Sequence, residues 1–205
     1  MDFTILTIGR FSRNRYWGED ESQAYRGPLC TSTLIRAPGV NIIVDPALPP
    51  AEMAVALDGA TGLKPDQVGI VYITHGHGDH YVGLELFGDA RWLCAPAEAE
   101  ACKATLTPEM AAKIEAAPDE ITPGVRLIAL PGHTLGLAGL LFDSRDGRVA
   151  VIGDAAMTRD FFEDRRGYFN SVDMELSAQS IAKVAEAADL VVPGHGNYFP
   201  IKKAL

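Results

Sequence analysis

The sequence predicts an α+β fold in which two β-sheets pack face to face and helices cover their outer surfaces. Three observations lead there. Short runs rich in Val, Ile and Leu recur along the 205 residues and end in Gly, Pro or Asp. Strands come first, then strand-helix alternation follows, twice over, an order that suits two packed sheets with helices outside. The hydrophobic content of 47% is ordinary for a globular chain and large enough for a real core. Residues 1–205 are therefore expected to form a single domain.

Taken in order, Phe3 to Ile8 alternates as a first strand and ends at Gly9. Residues 10–28 are polar, with Arg10, Arg13, Arg15 and Arg26 interleaved with Phe11, Tyr16, Trp17 and Tyr25. They read as a long loop rather than a packed element, either plain surface or a flap over a site. Leu29–Ile35 and Val40–Val44 form a hairpin about Ala37-Pro38-Gly39, and the second strand ends in Asp45-Pro46. A helix is expected from Pro50 through Leu57, with Gly59 after its end. Val68–Ile73 is a buried strand and Arg91–Cys94 a short one. Ala97–Lys103 is helix-forming, and residues 107–117 suit a second short helix. Val125–Leu130 is a strand. Leu137–Asp143 and Arg148–Ile152 form a hairpin turning at Asp146-Gly147. The longest helix covers residues 173–188, with Leu176, Ile181, Val184 and Ala188 mostly on one stripe. Leu190–Val192 is the last strand.

The formal net charge of -9 disfavours nucleic acid as a partner. No apolar run approaches the roughly 18 residues needed to cross a bilayer, and no signal-peptide pattern is present. Cys30, Cys94 and Cys102 show no C-x-x-C spacing and read as small buried hydrophobes in a reducing compartment. The expectation is a soluble cytoplasmic protein acting on a small molecule, with no membrane partner and a homodimer left open.

The chemistry is concentrated in Thr74-His75-Gly76-His77-Gly78-Asp79-His80. Three of the five histidines of the chain and one carboxylate fall within six residues. Neutral imidazole and ionised carboxylate are ligands for divalent cations. A solvated loop has no reason to gather them. Three further strands end in the same residue types, at Pro131-Gly132-His133, at Gly153-Asp154 and at Pro193-Gly194-His195. Five imidazoles and two carboxylates exceed the needs of one tetrahedral metal and suit two cations sharing a bridge, with positions left for water.

The H-x-H-x-D-H run, followed by P-G-H-T, G-D-A and P-G-H-G in that order, resembles the metallo-β-lactamase fold superfamily. The resemblance covers almost the whole chain. It implies a four-layer αββα sandwich of two mixed sheets flanked by helices, with metals at one edge between the sheets. It implies His75, His77 and His133 on one metal, Asp79, His80 and His195 on the other, and Asp154 as the bridge. Asp45 matches an acid that orients a ligand from behind; its other reading is a turn-forming Asp before Pro. Members of the commonest β-lactamase type carry Cys at the position of Asp154, which disfavours antibiotic hydrolysis. The chain stops at Leu205, so the C-terminal helical extension of hydroxyacylglutathione hydrolases is expected to be missing, and the large inserts of RNA-processing members are absent.

The expected function is a dinuclear metal-dependent hydrolase that directs a metal-bridging hydroxide at a small ester, thioester or lactone. Asp79 is the expected catalytic proton handler. The expected cofactors are two divalent metal ions, zinc foremost, with iron, manganese or nickel accepted by the same donors. A phosphodiesterase or nuclease, or an iron-dependent sulfur dioxygenase on the same fold, are the alternatives. The segment 158–170, with three arginines and four aromatics, reads either as a substrate pocket or as a charged loop beside an aromatic anchor. Tyr81 and Tyr198 lie close to ligands in sequence and are either oxyanion donors or packing residues.

Overall fold

A computed structural model describes residues 1–202. The end of the chain at Leu205, on which the expected lack of an extension rests, lies outside the described residues. Two six-stranded sheets form the centre. The first runs β1 (Asp2–Thr7), β2 (Ser32–Ala37), β3 (Val40–Val44), β4 (Ile70–Ile73), β5 (Arg91–Cys94), β6 (Ile114–Ala116), in that spatial order. β1 to β3 are antiparallel and β3 to β6 parallel, so the sheet is mixed. The second is built from β7 (Glu120–Thr122), β8 (Val125–Ala129), β9 (Ala138–Ser144), β10 (Gly147–Val151), β11 (Leu190–Val192) and β12 (Phe199–Pro200). It is antiparallel except for the β10–β11 pair.

Period-two alternation divides each strand between two cores. In β3, Ile42 and Val44 point between the sheets, where they meet Leu140, Phe142, Val149 and Val151 of the second sheet. Ile43 points the other way, onto Met53 and Leu57 of α1 (Pro50–Thr61) and near Cys102 of α2 (Ala99–Ala104). On the far side, Ala150, Ile152 and Val191 pack on Phe161 and Phe162 of α4 (Arg159–Glu163) and on Ile181 and Val184 of α5 (Met174–Ala187). Helix, sheet, sheet and helix thus stack as four layers. No helix among the described residues is long and apolar enough to cross a membrane. All three cysteines are buried and free.

Four differences from the sequence reading have local causes. α1 continues through Gly59 to Thr61, because an interior glycine costs only about 1 kcal/mol, and it stops where Gly62 takes the left-handed conformation at φ 71°. Residues 107–117 do not form one helix. A short α3 (Pro108–Ala111) ends early, and Ile114–Ala116 instead extends the first sheet beside β5, with Ile114 buried in the helix-covered core. β2 begins only at Ser32, since Leu29 pairs with Arg10 outside the sheet. The 10–28 loop is partly packed: Phe11 and Asn14 are buried. In α5 the side chain of Asp173 caps the first turn, accepting from the backbone of Glu175 and Leu176.

Candidate metal centre

Strands from both sheets end at one rim, and each delivers a polar side chain there. β4 leads into Thr74 and the 75–80 turn. β8 is followed by His133, β10 by Asp154 and β11 by His195. His75, His80, His133, His195 and Asp154 are all buried. His77 is half-buried, and the Asp79 side chain is 23% exposed.

Burying five of these seven side chains, with no lysine or arginine paired to them among the described residues, is costly. Their arrangement accounts for it. His77 Nδ1 lies 2.9 Å from His75 Nε2 and 3.0 Å from His133 Nε2. Asp154 Oδ2 lies 3.3 Å from His133 Nε2 and 3.8 Å from His75 Nε2. These four atoms surround one point. A tetrahedral cation with ligands at about 2.0–2.1 Å separates them by about 3.4 Å. On the other side, Asp154 Oδ1 lies 3.3 Å from His80 Nε2 and 3.2 Å from His195 Nε2, and Asp79 Oδ2 lies 3.6 Å from His195 Nε2. The two oxygens of Asp154 thus face two separate sets.

Hydrogen bonds behind the rings decide which nitrogens face inward. His195 Nδ1 is 2.9 Å from the carbonyls of both Arg10 and Leu29, which only accept, so Nδ1 donates and Nε2 is directed at the centre. Asp45 Oδ2 accepts from His80 Nδ1 at 2.9 Å. Asp45 also accepts from the backbone and the hydroxyl of Thr74, both at 2.8 Å. The Thr74 oxygen is then an acceptor for His75 Nδ1 at 3.2 Å. Asp45 holds a left-handed backbone conformation at φ 52°, a strained position for a residue with a side chain. Asp45 therefore joins both readings: it makes the turn before Pro46, and its carboxylate orients Thr74 and His80.

His80 Nε2 and Asp154 Oδ1 are buried without a hydrogen-bond partner. A lone pair and a carboxylate oxygen orphaned at one point are what a cation would satisfy. Burial drives His75 well below its ordinary pKa and His133 down to about 4, a direction that favours the neutral ring, the ligand form. Burial also opposes charge on His80 and His195, but it is outweighed, by Cys30, Asp154 and Asp45 at His80 and chiefly by Asp154 at His195, so both are held up. Asp154, despite its burial, is held well below the usual carboxylate range by His195, His80 and His133. Gly194 lets the Asp154 carboxylate come this close, because a Cβ there would overlap Oδ1.

Residues 25–195 match the metallo-beta-lactamase superfamily. The chain belongs to that superfamily. Among curated relatives, an N-acyl homoserine lactonase of Bacillus cereus is 30% identical over 149 residues, which is 69% of this chain and 59% of that protein. Metallo-beta-lactamase domain-containing protein 1 of Xenopus laevis is 31% identical over 181 residues, 83% of this chain and 72% of that protein. The structure of a Bacillus thuringiensis AiiA variant with N-decanoyl-L-homoserine bound at its active site superposes with a TM-score of 0.68 at 22% identity, over 90% of this chain and 86% of that one. The match spans little more than half the length of the curated lactonases, between 53% and 59%.

Within this metallo-beta-lactamase fold the rim opens on a cavity of about 190 Å³. Its floor is His77, Asp79, His133, Asp154 and His195, and its walls include Phe11, Pro28, Met157, Tyr168 and Phe169. Both loops left open by the sequence therefore reach the site. Phe11 packs edge-on against Tyr168 and His195, with ring centroids 5.5 and 6.1 Å apart. The Tyr168 hydroxyl donates to the Arg13 carbonyl at 3.0 Å and lies 3.1 Å from the Ser12 hydroxyl. The three arginines of 158–170 do not line the cavity. Arg159 pairs with Glu163 at 2.8 Å, and Arg165 and Arg166 are exposed. Neither tyrosine considered as an oxyanion donor lies in the cavity. Tyr81 donates to the Gly76 carbonyl at 3.0 Å and meets Thr105, and Tyr198 stacks edge-on with Phe3. Glu98 was not legible as a site residue. Its run reads only as helix-forming, yet Glu98 is buried and bonded to the histidine loops.

Proposed function

We propose that this chain is a dinuclear metal-dependent hydrolase that opens small neutral lactones, with simple esters and thioesters as secondary substrates. The observation that carries the reading is the cavity: five of the seven proposed cation ligands on its floor, apolar and aromatic walls, and no lysine or arginine among the lining residues. A phosphodiester would call for cationic partners in the walls, so the nuclease alternative loses support. The N-acyl homoserine lactonase relatives supply the lactone as the substrate class. Zinc is the proposed metal, on the three-imidazole-and-carboxylate chemistry of the first set. Both sheets deliver ligands, so residues 1–205 are read as one domain.

His75, His77 and His133 would hold one cation, Asp79, His80 and His195 the other, and Asp154, which faces both sets, would be the carboxylate they share. Bound there, the pair supplies hydroxide at neutral pH and polarises an acyl carbonyl. The residues do the rest. Asp79 has one oxygen toward His195 and stands at the open side of the floor, where its second oxygen can take the proton of the nucleophile and pass it to the leaving alkoxide. Phe11, Met157 and Phe169 exclude water and confine the substrate to the floor. Asn170 lines the cavity with its amide uncommitted and can orient a polar group of the substrate.

The test is a substrate panel run on the metal-loaded protein. γ-Lactones, including N-acyl homoserine lactones, are expected to be opened with release of one acid equivalent, ahead of nitrophenyl esters and thioesters. Turnover of bis-nitrophenyl phosphate alone, or oxygen uptake by an iron-loaded protein, would overturn the reading.

A further inference from the structure

The buried acids among the described residues are Asp45, Asp154 and Glu98. The first two belong to the centre. Glu98 is 2% exposed, stands just before α2, and touches none of the ligand rings. Its two oxygens reach different loops. Oε1 accepts from the backbone N–H of Gly76 at 3.0 Å, and Gly76 lies between His75 and His77. Oε2 accepts from the Thr134 hydroxyl at 2.9 Å, and Thr134 follows His133. The approach is tight: a Cβ on Gly136 would overlap Oε2. One carboxylate therefore ties the β4 loop of the first sheet to the β8 loop of the second, and these two loops supply the three histidines of one set. The other set, Asp79, His80 and His195, has no bond to it.

Resting on the dinuclear reading above, we propose that Glu98 is a positioning residue that sets cation affinity at the His75–His77–His133 half of the centre. To share one tetrahedral cation the three ring nitrogens of that half must stay about 3.4 Å apart while arriving from different sheets. A bidentate brace holds the loops at that separation before any cation arrives, so binding does not have to order them. Removing a partner that orients a ligand typically weakens metal binding by about 10- to 100-fold.

Competition of the full chain with a chromophoric chelator for Zn²⁺ resolves one dissociation constant for each half. His133→Ala and His80→Ala assign them, each abolishing one. Glu98→Ala is then expected to weaken about 10- to 100-fold the constant that His133→Ala abolishes, and to leave the other nearly unchanged. Glu98→Gln should restore most of the loss, since its carbonyl can accept from Gly76 while its amide donates to the Thr134 oxygen. Thr134→Val removes one arm with little change of shape and should move the same constant in the same direction, which keeps the test open should Glu98→Ala fold poorly. Leu57→Ala, a cavity on α1, should lower the melting temperature and move neither constant. Wild-type binding by both Glu98→Ala and Thr134→Val, or equal weakening of the two halves, overturns the proposal. If His133→Ala and His80→Ala themselves change nothing, the dinuclear reading has failed instead.

Discussion

The carboxylate of Asp45 lies 2.9 Å from His80 Nδ1, and the opposite nitrogen of the same ring faces Asp154 Oδ1 at 3.3 Å. One residue before a proline thereby fixes the tautomer of a ring deep in the protein. The same carboxylate grips the backbone and hydroxyl of Thr74, which orients His75. A single acid thus aligns one histidine from each half.

Asp45→Ala should therefore loosen both halves. Each buried donor left without a partner costs about 1–3 kcal/mol, and lost orientation weakens metal affinity about 10- to 100-fold. Thermal melting and chelator competition check the two effects. A variant that melts lower but binds metal normally would reduce Asp45 to a structural role.

Asp79→Asn keeps the size of the side chain and one oxygen while removing a proton acceptor. The expected result is a fall in kcat of about 10²- to 10⁴-fold with a smaller change in KM. A rise in KM alone would move Asp79 from proton handling to substrate binding.

Tyr168→Phe removes the hydroxyl that ties Ser12 and Arg13 over the cavity. It should cost about 1 kcal/mol of stability and raise KM, with full metal content retained. Unchanged kinetics would mean that the 10–28 loop covers the cavity without shaping it.

Gly194→Ala puts a Cβ against Asp154 Oδ1. Bound metal should drop below that of the wild type even where circular dichroism shows a folded chain. Normal metal content would show that the bridging carboxylate has room to move, contrary to its proposed role.

How much of this was legible beforehand follows from what each residue says locally. The alternating His-Gly-His-Gly run, and the histidines and Asp154 set at strand ends, announce their chemistry in a few residues. The long strands announce themselves by period. β6, β7 and β12 have three residues or fewer and lack the continuous apolar run that makes the equally short β11 legible, and β6 sits in a helix-forming run that the sheet edge captures. Asp45 could be read either as a turn former or as an orienting acid, because its partners lie 29 and 35 residues away. Glu98 gave no signal, since burial of a glutamate is decided by what folds over it. The arginines of 158–170 left two readings open for the same reason: their number is visible in the sequence, but their direction is set by the fold, as in the pairing of Arg159 with Glu163 on α4.

The central claim, that hydrolysis depends on two cations held by these seven residues, is tested most directly by stripping the protein with a chelator and titrating Zn²⁺ back while following lactone opening. Activity should vanish on stripping and return in step with bound metal up to about two equivalents per chain, and His77→Ala should neither regain activity nor reach that stoichiometry. Full lactone hydrolysis by the metal-free protein, or by His77→Ala with both equivalents bound, would contradict it.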